Sequence, residues 1–157
     1  MKKKRVVIIS LLLLLVSVIG ISSYFLFKDK INLLDVDHSA VDWNGKKQKD
    51  TSGEENTIAI PGFEKVTLYA NETTQAVNFH NPEINDCYFK ISLIHPDSSV
   101  LWISDLIEPG KGMYSIELEK TLAVGEYENA VLKYECFSLN DQSPLNGSEI
   151  NLKLVVV

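Results

Sequence analysis

The chain has 157 residues, 45% of them hydrophobic and 23% charged, with a formal net charge of −6. That value is unevenly spread: from Ile31 to Val157 nine lysines face twenty aspartates and glutamates, a net charge of −11. An acidic exterior of this kind excludes nucleic acid as a partner, because it repels a phosphate backbone.

Met1-Lys2-Lys3-Lys4-Arg5 is a basic cluster, and Val6 to Phe27 follows without a charged side chain. As a helix those 22 residues would be about 33 Å long, enough to cross the roughly 30 Å hydrocarbon core of a bilayer. Lys28-Asp29-Lys30 carries only +1 on the far side. The heavier basic flank stays cytoplasmic, so the expected partition is a cytoplasmic tail over 1–5, a transmembrane anchor over 6–27 and everything beyond outside the cell membrane. The competing reading is a secretory signal peptide cut after Ser22. It would leave Tyr24, Phe25, Leu26 and Phe27 exposed to water, which favours the retained signal-anchor. The partner of this segment is the lipid bilayer.

Residues 28–57 lack sustained periodicity. They hold Asn44-Gly45, a lysine patch at Lys46, Lys47 and Lys49, and the polar run 50–56. Such a stretch buries too little apolar area to offset its ordering entropy, which predicts a flexible tether. Trp43, its one aromatic residue, has three open placements: on the domain edge, at a lipid interface, or exposed.

From Ile58 the period becomes two. Strands are expected over 65–69, 75–79, 87–93, 100–104, 113–119, 127–139 and 149–157, separated by turns such as His95-Pro96-Asp97 and Glu108-Pro109-Gly110. Short strands at this spacing, with no amphipathic helix between them, predict an all-β, antiparallel sandwich of seven or eight strands over 58–157. Crossover helices for a parallel sheet do not fit in the connections.

Cys87 shares a strand face with Phe89 and Ile91, and Cys136 shares one with Leu132 and Tyr134. Both faces are expected to be buried. Outside the cytoplasm two such cysteines on different strands predict a Cys87–Cys136 disulfide. No histidine lies at short spacing from either cysteine, so neither is expected to ligate a metal.

Cys87, Trp102 and Tyr134-Glu135-Cys136 resemble the immunoglobulin pattern in outline, over roughly 64–157. That pattern implies a sandwich, with Phe89, Trp102, Tyr127 and Tyr134 expected in its core. It also places a tyrosine two residues before the second cysteine, which is Tyr134 here, and Tyr127 is an equally good corner tyrosine. The layout also resembles small, single-pass, surface-exposed proteins of Gram-positive bacteria with one immunoglobulin-like domain. The segments that carry this likeness are Asn81-Pro82-Glu83, Glu108-Pro109-Gly110-Lys111, Tyr127-Glu128-Asn129-Ala130 and Pro144-Leu145-Asn146-Gly147. It implies accessory or adhesive work at the envelope.

Residues for chemistry are scattered. His38, His80 and His95 form no ligand-spaced pair, and no serine or cysteine nucleophile motif and no glycine-rich phosphate loop occurs. Asp97, Glu83 and Asp86 would bind Ca²⁺ only if their loops met; solvated turns are the default. No catalytic residue, metal site or cofactor is expected. The expected function is a non-enzymatic extracytoplasmic interaction or scaffold module with an envelope protein or glycan partner. Competing readings are a membrane-bound subunit of a secretion or DNA-transfer machine and an envelope hydrolase.

Overall fold

The computed structural model describes residues 33–45 and 57–157. Alternating apolar and polar residues produce strands close to where period two places them. In chain order these are β1 (Val41–Asp42), β2 (Lys65–Leu68), β3 (Thr74–His80), β4 (Cys87–Ile94), β5 (Val100–Ile103), β6 (Lys111–Glu117), β7 (Gly125–Ser138) and β8 (Pro144–Val156). They form two sheets, ordered β1-β6-β3 and β2-β8-β7-β4-β5. The result is an eight-stranded, largely antiparallel sandwich-like domain.

The spine is the β4–β7 ladder, in register from Cys87 opposite Ser138 to Ile94 opposite Val131. Its inward side chains, Phe89, Ile91, Leu93, Leu132 and Tyr134, are all buried. Phe89 meets the Tyr134 ring edge-on at 5.3 Å. Across the sandwich, Trp102 on β5 tilts against Phe79 on β3 at 5.8 Å, and Phe63 meets Phe79 edge-on at 5.4 Å. Burial of this aromatic group stabilises the sandwich, since each ring removes a large apolar area from water. Burial also pushes the Tyr134 hydroxyl well above the usual phenol range. Tyr127 is partly buried, and its hydroxyl donates to the Ala123 carbonyl at 2.9 Å, as a corner tyrosine at the entry of β7 does.

The chain changes sheets between β2 and β3. Asn71 takes a positive φ of 61° there. Buried Gln75 pins the crossing: its side-chain oxygen accepts from Tyr69 N, and its amide donates to the Tyr69 and Glu72 carbonyls.

Three expectations are corrected, and a fourth falls outside the described residues. No disulfide forms: Cys87 and Cys136 are both free and buried, and the pair comes no closer than 4.4 Å. A disulfide needs about 2.05 Å between sulfurs. The cause is register. Both cysteines sit on neighbouring strands of one sheet, but Cys87 lies opposite Ser138 while Cys136 lies opposite Phe89, so the two are diagonal. The contact with Cys87 and burial hold the Cys136 thiol well above its usual range, so it stays protonated at neutral pH.

Second, no helix among the described residues is long and apolar enough to cross a membrane, so the expected transmembrane helix has no counterpart there; residues 6–27 lie outside the described residues. Third, part of the expected tether is not loose. Residues 34–45 run along the sandwich and supply β1, whereas the polar run 50–56 lies outside the described residues. Fourth, the sandwich is not purely antiparallel: β2 pairs parallel with β8, Lys65 opposite Lys153 through Leu68 opposite Val156. The crossover constraint does not apply, because the whole domain lies between these two strands in the chain.

Candidate functional site

The segment 34–45 is best described as a strap with three attachments. At its start the Gln142 side-chain oxygen accepts from Leu34 N at 2.6 Å, and the Gln142 amide donates to the Leu34 carbonyl at 3.0 Å. In the middle Asp37 N donates to the Leu106 carbonyl and Leu106 N to the Asp35 carbonyl. At its end Val41 and Asp42 pair with Gly112 and Lys111 on β6, and Trp43 N donates to the Gly110 carbonyl.

Trp43 then lies across β6 onto β3. Its indole stacks on the His80 imidazole with ring centroids 3.8 Å apart and 8° between planes. Its Nε1 donates to Asn78 Oδ1 at 2.7 Å. The crossing works because residue 112 is glycine. A Cβ there would stand 2.8 Å from Trp43 Cδ1 and 2.9 Å from His80 Cβ, closer than packed carbons approach. Next along the strap, Asn44 N donates to the Tyr114 hydroxyl, which donates in turn to Asn44 Oδ1, both at 2.8 Å.

A buried polar pair fixes the opposite wall. The Asn81 amide donates to the Cys87 and Ile107 carbonyls, and the Asn85 amide donates to Ala59 O and Asn81 Oδ1. Ala59 N returns a bond to Asn85 Oδ1 at 2.7 Å. Both asparagines are buried. A buried polar network whose members are all paired is rigid, so the Pro82-Glu83-Ile84 loop above it has a set position. Asn81 also accepts from Gly110 N through its backbone carbonyl, and Gly110 takes a positive φ of 77°, which glycine adopts without strain.

Between these walls opens a cleft of about 830 Å³, lined by Asp42, Trp43, Asn44, His80, Glu83 and Ile84 together with Pro82, Pro109 and two glycines. Ile84 stands on the rim at 83% exposure, unusual for a β-branched aliphatic side chain. Lys111 binds Asp42 at 2.6 Å, which holds the Asp42 carboxyl below its usual range and raises the Lys111 ammonium above its own. Among the described residues, that leaves Glu83 as the cleft's carboxylate without a lysine contact of this kind. The cleft presents an aromatic surface, an apolar rim and acidic groups.

Of the residues singled out from sequence, Cys87, Cys136, Phe89, Trp102, Tyr127 and Tyr134 are packing residues, and none lines the cleft. Of Glu83, Asp86 and Asp97, only Glu83 lines it. Asp97 instead accepts from Ser99 N and lies 2.9 Å from His95 Nδ1 within the β4–β5 turn, and these contacts hold its carboxyl far below the usual range. Among the described residues no group of three or more His, Cys, Asp or Glu is placed to hold a metal ion. Sequence alone missed His80, Asn81, Asn85 and Gly112 as a group. The available signal was a lone tryptophan in a polar stretch, which needs an apolar or aromatic resting place.

No protein-family model matches the chain, no curated protein matches it, and no solved structure matches it.

Proposed function

We propose that this domain is a non-enzymatic interaction module that works at the outer face of the cell membrane and holds an envelope protein or glycan in the Trp43–Ile84 cleft. The supporting observation is the cleft's construction. Two rigid walls, one strapped by Trp43 over Gly112 and one held by Asn81 and Asn85, present an exposed apolar residue and an indole beside Glu83. Preformed concave sites with an aromatic anchor and few polar groups suit binding, because little ordering entropy remains to be lost.

The strand arrangement supports an immunoglobulin-like architecture at the level of topology. β8-β7-β4-β5 and β6-β3 follow the two-sheet order of that fold, and the strap's β1 fills a third place beside β6. The fold itself assigns no ligand. The surface location rests on the sequence alone: four basic residues precede the uncharged run 6–27, and a net +1 follows it.

A photo-crosslinking amino acid at position 84 of the full chain, activated in cells, tests the cleft. The expected result is a discrete adduct that disappears when Trp43→Ala is added. The control is position 124, which is 71% exposed and does not line the cleft. No adduct from position 84, or the same adducts from both positions, would refute the cleft as the binding site.

A further inference from the structure

The outer face of the five-stranded sheet carries a pattern the cleft does not use. Along β4 the outward residues are Tyr88, Lys90, Ser92 and Ile94; on β7 their cross-strand partners are Phe137, Glu135, Lys133 and Val131. Apolar pairs therefore occupy both ends of this face, and charged and polar pairs occupy the middle. β5 extends it with Val100 opposite Ile94 and Ile103 opposite Ser92, and both added residues are nearly half exposed. β8 adds Asn151 opposite Val131 and Glu149 opposite Lys133. Tyr88, Ile94, Val131 and Phe137 are only half-buried, although they sit on the central strands of the sheet.

The order of these rows is close to a palindrome: aromatic pair, charged pair, polar and charged pair, aliphatic pair. We propose that this face is a homodimer interface, in which a second copy of the chain packs face to face about a two-fold axis running across the strands between Lys90 and Ser92. The axis reverses the rows of the second copy. Tyr88 then meets Ile94 of the second copy, Phe137 meets its Val131, and Lys133 meets its Glu135. A two-fold interface must be self-complementary in this way, each contact occurring twice. Sheets stacked about 10 Å apart allow the end rows to interdigitate.

Charge marks this face as one that a second copy can approach. Two chains that each carry −11 from Ile31 onward repel one another over most of their surface. Beside the axis Lys90 and Lys133 balance Glu135 and Glu149, further along the same face Lys153 pairs with Glu126 and Glu128, and Lys133 lies 3.4 Å from Glu135 within the strand. Two acidic chains can approach here without like-charge repulsion, and the axis sets Lys133 against Glu135 twice.

Sedimentation velocity on the full chain in mild detergent tests the interface. The expected result is a concentration-dependent monomer–dimer equilibrium. Lys133→Glu sets two glutamates against each other across the axis and should weaken association about tenfold or more, as should Glu135→Lys. The double variant K133E/E135K re-forms the pair with its charges exchanged and should recover most of the loss. Circular dichroism checks that each variant is folded, and having two single variants keeps the test open if one does not fold. A chain that stays monomeric to about 100 µM overturns the proposal. So does association that ignores the single substitutions, which would place it elsewhere on the chain, or a double variant as weak as the singles. Neither position lines the cleft, so failure here leaves the proposed function standing.

Discussion

The strap and the strand ladders are held together by different physics. In the β4–β7 ladder a run of eight residue pairs carries an inward face of buried apolar side chains, so backbone pairing and apolar burial reinforce each other at every second residue. The strap has two paired residues, and among its exposed positions is Val41. It is held instead by separate contacts: a glutamine clip, two backbone bonds to Leu106, a stacked indole over a glycine gap and an ion pair. Loss of one contact should therefore spread through the ladder but stay local in the strap. One wall of the cleft is the strap and the other is held by the buried Asn81–Asn85 network, which makes the strap wall the one that can be altered without unfolding the domain.

The largest expected effect breaks the ladder. Phe89 is fully buried against Tyr134, and Phe89→Ala should cost about 3–5 kcal/mol in urea unfolding, a large part of the stability of a small domain. Gly112→Ala tests the strap at its tightest point. Forcing a methyl group under the indole should cost about 1–3 kcal/mol. With Trp102→Phe as background, so that Trp43 alone reports, emission should shift to the red while the far-ultraviolet dichroism of the ladder is kept. Loss of the whole fold on Gly112→Ala would show that the strap and the ladder are one cooperative unit.

Gln142→Ala removes both bonds to Leu34 and should cost about 1 kcal/mol, seen as faster hydrogen exchange at the Leu34 amide with β4 and β7 amides unchanged. Acid should act more weakly still. Lys111 lowers the Asp42 carboxyl in the folded state, so the contribution of that pair is present above the unfolded aspartate range and is lost as pH falls through the lowered folded value. Trp43 emission should shift only below the ordinary aspartate range, and Asp42→Asn should remove that phase. Both groups are solvent-exposed, so salt should blunt the effect. The smallest expected effect is none: reductant should leave the melting temperature and the intact mass unchanged, because Cys87 and Cys136 are thiols. A two-dalton gain on reduction, from about two added hydrogens per disulfide, would reverse that conclusion.

Seven of the eight strands were legible: six carry stretches of alternation, and Val100–Ile103 is a short apolar run directly after the His95-Pro96-Asp97 turn. Val41–Asp42 is too short to show a period, and its partner strand is fixed by Gly112, which in sequence belongs to the turn signal Glu108-Pro109-Gly110-Lys111-Gly112. The cysteines show the same limit from another side. Alternation places Cys87 and Cys136 on inward faces, and both are buried. It does not say whether two inward faces look at each other across the core or lie side by side in one sheet, and here they lie side by side. A register offset of two residues then separates a crosslink from two free thiols. Asn81 and Asn85 were equally hidden: their amides bond Cys87, Ile107 and Ala59, groups brought together by folding.

Local pattern alone determined the β class, the strand positions, the acidic exterior and the burial of Phe89, Trp102 and Tyr134, because burial parity and charge are properties of neighbouring residues. Only the tertiary structure decided that the strap closes on β6, that Trp43 rests on His80, that β2 runs parallel to β8, and that the cysteines stay apart. Each of these depends on which distant backbone stands alongside, and that is set by packing of the whole core rather than by any local run of residues.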